Sequence, residues 1–273
     1  MITGATRLSA VIGWPVAHSR SPHMLNAAFA VSGTDAVMVP IAARPERFAG
    51  VISGLRAMSA IGASVTVPHK LTAAALCDQL APAARETGAV NCLHFDGDRL
   101  VGHNTDAPGF VDGLIAAGFA RRDVRAVLLG AGGAARAVAY GLREHATVEV
   151  LARAPDRVLW TKATPWTPDA VAAAFAHADL VVDCTPAGLA EHDERTLVDA
   201  LPLHALPASC WVATLIYHRA TLLVERARER GHSTVDGRAM LVHQGARAFT
   251  IWTGAPAPID AMARALDDAL RGT

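Results

Sequence analysis

A glycine turn between an apolar strand and a helix constrains the fold of this 273-residue chain more than any other feature. Residues 128–135 run Leu-Leu-Gly-Ala-Gly-Gly-Ala-Ala, a G-x-G-x-x-A pattern whose last position is Ala135 rather than glycine. The first glycine permits a tight turn, and the second lets backbone N–H groups approach a pyrophosphate at the helix N-terminus. Because a strand precedes the pattern and a helix follows it, the segment predicts nucleotide binding. A purely structural turn is the alternative.

Apolar runs alternate with helical periodicity along the chain and predict an α/β fold with a parallel or mixed sheet. A second α/β series begins at Arg125. The predicted strands are Leu8–Ile12, Ala36–Ile41, Gly62–Val67, Val90–Phe95, Arg99–Val101, Arg125–Leu129, Val148–Leu151, Leu180–Asp183 and Cys210–Thr214. The predicted helices are Pro22–Val31 (capped by Ser21), Pro45–Met58, one entered through Asp106, one from the glycine turn to Leu142, Asp169–Ala176, Ala220–Arg230, Met240–Trp252 and Ile259–Leu270.

Composition excludes several classes of protein. The 25 basic residues balance the 25 acidic ones, so no nucleic-acid or membrane-surface partner is expected. The N-terminus lacks a secretory pattern and no apolar stretch is long enough for a membrane span, which favours a cytoplasmic globular protein. The four cysteines form no CxxC pair, so free thiols are expected rather than disulfides or a zinc site.

Lys70 is the first candidate for acid–base chemistry. It is one of only two lysines, against 23 arginines, and it follows a strand that Pro68 ends. Lysine can exchange a proton under the influence of its surroundings, whereas arginine does not deprotonate in proteins. The alternative is an arginine-rich composition that left two lysines by chance.

Asp106 is the natural partner of Lys70, because a carboxylate would hold the ammonium in place as an alkoxide forms. Asp106 could also cap the helix that it precedes. Neutral hydrogen-bonding residues at strand ends and in loops would suit a small polyhydroxylated ligand, although each alone is more often a cap or turn residue. These residues are Ser19, Ser21, Thr66 and Asn91.

The strand after the glycine turn predicts which nicotinamide cofactor binds. An NAD enzyme usually places an acid at the end of this strand to hold the ribose 2′-OH. Here Arg153 and Arg157 could clamp a 2′-phosphate, with Asp156 as the opposing observation. The balance favours NADP over NAD, and a solvated loop of mixed charge is the alternative.

Histidines do not indicate a metal site. Five of them lie in the first 103 residues, yet none has the HExxH or HxH spacing of metal ligands. His69 and His103, which flank the proposed chemistry, are expected to be exposed or to support the site indirectly.

Taken together, these motifs resemble the shikimate dehydrogenase family along nearly the whole chain. The segments that carry the resemblance are Gly13–Pro22, Val65–Lys70, Gly88–Asn91, Asn104–Asp106, Gly130–Ala134 and Met240–Gln244. The resemblance implies two α/β domains: a substrate domain, residues 1–105 completed by helices in 238–273, and a Rossmann domain, residues 106–237. It also implies NADP-dependent, reversible reduction of 3-dehydroshikimate to shikimate by a monomer or homodimer.

The resemblance assigns roles residue by residue. Lys70 and Asp106 match the catalytic pair. The positions that match substrate contacts are Ser19, Ser21, Thr66, Asn91, Tyr217 and Gln244. The positions that match cofactor contacts are Gly130, Ala131, Gly132, Gly133, Ala134, Arg153, Arg157, Leu215 and Gly237.

Five positions depart from the family pattern and leave two alternatives open. Thr214 stands where an aspartate is usual, Asp183 where an asparagine is typical and Ala239 where glycine is common; Ala152 and Ala154 replace polar residues beside Arg153. One alternative is a dehydrogenase of a related cyclic acid such as quinate. The other is a nucleotide- or ligand-binding protein with vestigial catalysis.

Overall fold

The computed structural model describes residues 2–119, 121–188 and 191–272, of which 191–193 by their backbone alone. The chain forms two compact units, the first from Met1–Gly109 with Leu241–Thr273 and the second from Phe110–Met240. Both boundaries between the units fall inside a helix, and each lies a few residues later than the boundary that the sequence analysis predicts. Within the described ranges, no helix is both long and apolar enough to span a membrane.

The elements are numbered in chain order. The strands are β1 (Arg7–Gly13), β2 (Ala36–Ala42), β3 (Gly62–Val65), β4 (Gln79–Leu80), β5 (Cys92–Asp96), β6 (Arg99–His103), β7 (Val124–Leu129), β8 (Ala146–Ala152), β9 (Thr164–Pro165), β10 (Leu180–Asp183), β11 (Trp211–Thr214) and β12 (Ser233–Val235). The helices are α1 (Ser21–Val31), α2 (Phe48–Ala57), α3 (Lys70–Leu76), α4 (Pro82–Thr87), α5 (Asp106–Ala116), α6 (Gly133–Leu142), α7 (Pro168–Phe175), α8 (Glu191–Asp199), α9 (Leu222–Glu229), α10 (Gly237–Thr253) and α11 (Ile259–Arg271).

The first unit is a mixed sheet of strand order β2-β1-β3-β5-β6-β4. Strand β1 pairs in parallel with β2 and β3, whereas β5 runs antiparallel to β3 and β6. The C-terminal segment covers one face: Phe249 packs on Phe29 of α1 with ring centroids 5.6 Å apart, and the Trp252 indole donates to the Leu93 carbonyl at 2.9 Å. The carboxyl ends of β1 and β3 lie at one edge, and there the site is built.

The second unit is an all-parallel sheet of order β12-β11-β10-β7-β8-β9. Its central strands are short apolar runs buried on both faces, as helices on either side require. The order reverses at β7, whose neighbours are β10 and β8. This reversal is the point at which doubly wound sheets bind nucleotides, and the glycine turn follows β7.

Several predicted boundaries differ from the structure. Helix α1 begins at Ser21 itself, with Arg20 at the N-cap position and no side-chain cap, so the predicted Ser21 cap is wrong. The predicted helix Pro45–Met58 divides into a 3-10 turn, Pro45–Arg47, followed by α2. The strand predicted to reach Val67 ends at Val65, since Thr66 already belongs to the turn that leads to Lys70.

Candidate active site

Lys70 and Asp106 form an ion pair in the first unit. Lys70 opens α3 and Asp106 opens α5, and the Lys70 Nζ donates to Asp106 Oδ2 at 2.7 Å. The lysine side chain is 34% exposed and the aspartate 13%. The ammonium is therefore accessible from solution, while the carboxylate that holds it is largely buried.

Asn91 holds the second carboxylate oxygen. Its Nδ2 donates to Asp106 Oδ1 at 2.9 Å and to Thr105 Oγ1 at 2.9 Å, and its Oδ1 accepts the Thr105 N–H at 2.6 Å. The predicted capping role falls to another residue, since Asn104 accepts the first-turn amide of Ala107 at 3.1 Å. Asp106 is thus fixed by donors from Lys70 and Asn91, and its orientation is set by both.

Gln244 reaches the same cluster from the far end of the chain. Its Oε1 lies 3.3 Å from Asn91 Nδ2, and its Nε2 donates to the Leu241 carbonyl at 2.8 Å. Gly109 makes this approach possible, because a Cβ there would lie 2.6 Å from the backbone nitrogen of Gln244. Helices α5 and α10 therefore cross closely enough to bring a second amide beside the carboxylate.

The loop of Ser19 and Ser21 lies at the same sheet edge as Lys70. Backbone bonds join the two segments, from Thr66 N–H to the Ile12 carbonyl at 2.9 Å and from Trp14 N–H to the Val67 carbonyl at 3.0 Å. Ser19 Oγ accepts the Ser21 N–H at 3.3 Å. Ser19 is half-buried and Ser21 is buried. The two hydroxyls and Thr66 thus border the turn that carries the lysine.

His69 is buried, which excludes the exposed alternative of the two that the sequence analysis left open. It is 1% exposed, its Nε2 lies 2.7 Å from the Ala43 carbonyl oxygen, and its ring stacks on Phe48 with centroids 4.3 Å apart. It occupies the N-cap position of α3, directly before Lys70. These contacts anchor the backbone from which the lysine projects.

The nucleotide turn of the second unit has the geometry that its sequence predicts. Gly130 has φ +97°, in the left-handed region that favours glycine, and Gly132 is the N-cap residue of α6. A Cβ at Gly132 or Gly133 would meet no atom within 4 Å. The space beside both glycines is therefore open, which fits the approach of a pyrophosphate to the amides of the helix N-terminus.

Arg153 and Arg157 stand at the end of β8, on the same sheet edge as the glycine turn. Both are exposed, and neither forms an ion pair with another described residue. Two uncommitted guanidiniums at this position fit a bound phosphate group. Asp156 is also exposed, in the 3-10 turn between them.

Leu215 and Gly237, two of the predicted cofactor positions, are in contact. A Cβ at Gly237 would lie 2.2 Å from the Leu215 carbonyl oxygen, so only glycine fits there. Tyr217 follows Leu215 on the loop after β11, is half-buried and packs edge-on to His218 with centroids 5.9 Å apart. It belongs to the second unit, whereas the other proposed substrate contacts belong to the first.

Two departures from the family pattern have clear local partners. Thr214 is buried, and its Oγ1 accepts the Ile216 N–H at 3.3 Å. Asp183 is 4% exposed and accepts from Thr185 Oγ1 at 2.7 Å and from the Thr185 N–H at 2.9 Å. Burial raises the pKa of Asp183 to about 6, although these two hydrogen bonds lower it.

Glu194 and Arg219 form an ion pair that the sequence analysis did not single out. Glu194 of α8 is 4% exposed; it pairs with Arg219 at 2.5 Å and accepts the Leu222 N–H at the start of α9. The Arg219 guanidinium also donates to the Gly188 carbonyl at 2.9 Å. The polar sequence of α8 gives no signal that Glu194 is buried. Among the residues the structure describes, no group of histidines, cysteines and acids could hold a metal.

A Rossmann unit with an open glycine turn and an α/β unit with a lysine–aspartate pair are the parts of a nicotinamide-dependent dehydrogenase, the class that this fold and site define. Residues 11–93 match the family model of the shikimate dehydrogenase substrate binding domain, and residues 237–266 match the shikimate 5′-dehydrogenase C-terminal domain. A shikimate dehydrogenase (NADP(+)) of Symbiobacterium thermophilum is 42% identical, over 98% of this chain and 96% of its own. The chain belongs to the shikimate dehydrogenase family.

Solved structures with the same fold include enzymes with different activities. The shikimate 5-dehydrogenase of Thermus thermophilus, in complex with NADP(H) and shikimate, superimposes with a TM-score of 0.86 at 34% identity, covering 97% of this chain and 100% of that one. The quinate dehydrogenase of Corynebacterium glutamicum, in complex with NAD, has a TM-score of 0.83 at 25% identity, covering 96% and 99%.

Proposed function

We propose that this protein catalyses the reversible, NADP-dependent reduction of 3-dehydroshikimate to shikimate. The observation that carries the proposal is the Lys70–Asp106 pair, partly exposed at its ammonium end and fixed at its carboxylate end by Asn91. NADPH, when bound, supplies the hydride. The first unit binds the substrate, and the second binds the cofactor.

Lys70 is the proton donor in the direction of reduction. As hydride adds to the carbonyl carbon, the Lys70 Nζ gives its proton to the carbonyl oxygen, so that a C–H and an O–H bond form and the C=O π bond is lost. The amine then takes a proton from water. Asp106 keeps the ammonium oriented and stabilises its charge before the transfer. In oxidation Lys70, as the neutral amine, accepts the proton of the alcohol.

The remaining polar groups of the first unit bind the rest of the ring. Ser19 and Ser21 hold the substrate carboxylate, because a hydroxyl group can donate to each of its two oxygens. The bond from the Ser21 N–H to Ser19 Oγ keeps the two residues close together. Asn91 and Gln244, with Thr66, contact ring hydroxyls near the ion pair.

The second unit selects the phosphorylated cofactor. The amides of residues 130–134 bind the pyrophosphate, Arg153 and Arg157 bind the 2′-phosphate, and Leu215 and Gly237 line the nicotinamide. NAD lacks the group that the two arginines recognise, so it binds less well.

An activity panel of two substrates and two cofactors tests the proposal. Reduction of NADP⁺ and NAD⁺ is followed by absorbance with shikimate and with quinate at mildly alkaline pH. We expect the highest kcat/KM with shikimate and NADP⁺. Faster turnover of quinate would assign the protein to a related activity, and tight NADPH binding without turnover of either acid would indicate a binding protein.

The assembly and location of the protein are part of the same proposal. We expect a cytoplasmic monomer or homodimer. Light scattering coupled to gel filtration measures the mass in solution, and a trimer or larger assembly would contradict this expectation.

A further inference from the structure

Trp160 contacts the nucleotide turn from the loop that carries the two arginines. Its indole Nε1–H donates to the carbonyl oxygen of Ala131 at 3.1 Å, and both residues pack against the same core cluster. The adjacent side chain, Leu159, is 94% exposed. Trp160 of this loop therefore contacts the glycine turn, whereas its neighbour Leu159 is exposed to solvent.

The loop between β8 and β9 is anchored at both ends by these strands. The hydrogen bond of Trp160 to Ala131 restrains the middle of the loop. Strand β8 ends at Ala152, and β9 returns to pair with it, Thr164 opposite Leu151. Between these points none of the residues of the 3-10 turn Pro155–Arg157 is buried. Trp160 therefore ties the segment of Arg153 to the turn between β7 and α6.

The contact also determines how one turn amide points. In a trans peptide the C=O and the following N–H lie in one plane and point in opposite directions. Holding the Ala131 carbonyl toward Trp160 directs the Gly132 N–H to the other side. Gly132 is the N-cap residue of α6, is exposed, and has open space where a Cβ would lie.

An exposed glycine turn gains from such a restraint. Glycine loses more conformational freedom on ordering than any other residue, and binding must supply that cost unless the free protein is already ordered. Trp160 provides a side-chain hydrogen bond to this turn. It orders the turn before the cofactor arrives.

We propose that Trp160 is a positioning residue for the dinucleotide: its indole N–H orients the Ala131–Gly132 peptide so that the Gly132 amide faces the pyrophosphate. This inference rests on the proposed binding of NADP by the second unit. Because NADP and NAD share the pyrophosphate, it requires that both cofactors depend on Trp160 equally. Arg153, in contrast, affects only the phosphorylated one.

The test compares Trp160→Phe with Trp166→Phe in the full-length protein. Phenylalanine keeps an aromatic ring and removes the donor; Trp166 is a half-buried tryptophan of the same unit that packs on a different core cluster. Calorimetry measures the Kd of NADPH, NADH and shikimate. We expect Trp160→Phe to weaken both nucleotides by about 5- to 30-fold, with shikimate binding and kcat at saturating NADPH within about twofold of wild type. Trp166→Phe should change none of them.

The outcomes separate this inference from the proposed function. If the wild-type protein does not bind NADPH, the proposed function fails before any variant is made. If wild type binds and Trp160→Phe binds equally well, or loses affinity for NADPH alone, the positioning role is wrong. A general loss of folding would lower shikimate affinity too, and it is checked by the melting temperature.

A measurement on the wild-type protein covers the case in which Trp160→Phe does not fold. With ¹⁵N-labelled tryptophan, the five indole N–H signals are assigned by single Trp→Phe replacements, the last by elimination. We expect the Trp160 signal to shift on addition of ADP, which carries the pyrophosphate without the nicotinamide, and not on addition of shikimate. An unchanged signal would overturn the inference.

Discussion

The Nζ of Lys70 donates to Oδ2 of Asp106 at 2.7 Å, and the two ends of this pair differ in exposure. The lysine meets solvent, whereas the aspartate is enclosed and bonded to Asn91. The pair therefore has a fixed anchor and an accessible proton, which is the arrangement that a general acid requires.

Replacing Lys70 tests its proposed role as the proton donor without altering the second unit. Lys70→Met should lower kcat by roughly 10²–10⁴-fold, the range for a positioned acid–base group. The Kd of NADPH should stay within about twofold. Lys162→Met, which replaces the other lysine, is the matched control and should keep wild-type kcat. Wild-type turnover in the Lys70 variant would exclude the assigned role.

Gly132→Ala tests the pyrophosphate site with a methyl group that the free protein can accommodate. Gly132 has φ −75°, and a Cβ there meets no atom within 4 Å, so the melting temperature should hardly change. The methyl would occupy the space in which the pyrophosphate lies, and we expect the Kd of NADPH to rise at least about tenfold. Calorimetry and thermal unfolding together measure this; an unaltered Kd would place the cofactor elsewhere.

Arg153→Ala should separate the two nicotinamide cofactors. Loss of a charge-assisted bond to the 2′-phosphate should weaken NADP by roughly 10- to 100-fold. NAD should bind as before. Arg230→Ala, at an exposed position beyond α9, controls for the change in net charge. An equal loss for NADP and NAD would remove the 2′-phosphate assignment.

Asp183→Asn should change how stability depends on pH. Burial raises the pKa of Asp183 to about 6, from 3.8 in an unfolded chain, so the folded state favours the protonated form. The raised pKa of Asp183 contributes about 3 kcal/mol to the free energy of unfolding. This contribution is fully present below pH 4 and is lost as the pH rises through about 6. Asparagine keeps an acceptor for Thr185 and carries no charge.

Urea unfolding at pH 4 and pH 7.5 measures this effect. We expect Asp183→Asn to equal wild type at pH 4 and to have a larger free energy of unfolding at pH 7.5, by up to about 3 kcal/mol. Asp98→Asn, at an exposed hairpin position, should show no such pH-dependent gain. A destabilised variant at pH 7.5 would mean that the carboxylate has a charged partner in solution.

The Glu194–Arg219 pair should respond asymmetrically to loss of either member. The Glu194 side chain is 5% exposed and that of Arg219 is 36%, so only the arginine can be solvated when it is left alone. Arg219→Met should therefore cost more stability, about 3–5 kcal/mol, than Glu194→Gln. Urea unfolding of both single variants and the double variant measures the order and the coupling. The reverse order would show that the glutamate reaches water.

The sequence predicted the parts of the site that lie on strong local patterns. The glycine turn after Leu129 follows from a buried strand and an amphipathic helix, and Gly130 has the left-handed conformation that this pattern requires. Lys70 and Asp106 follow from residue chemistry at strand and helix ends, and the structure places them in contact. Their catalytic roles remain predictions.

Contacts between distant segments had no local signal. The sequence around Trp160 does not indicate its contact with the glycine turn, because that contact depends on the pairing of β9 with β8. Glu194 lies in a helix whose polar sequence predicts exposure. Helix α3 is only 7 residues long, too short to show helical periodicity. The Ser21 cap failed because Arg20, not Ser21, precedes the first helical turn.

The first unit is formed by two separate parts of the chain, residues 1–109 and 241–273, so it cannot be complete before the second part is synthesised. A ribosome delivers the chain from the N-terminus, so residues 110–240 are complete while the sheet face that Phe249 and Trp252 cover is still bare. Gln244 arrives with that same last segment and closes the amide cluster around Asn91. The second unit can therefore begin to fold before the first unit has all of its residues.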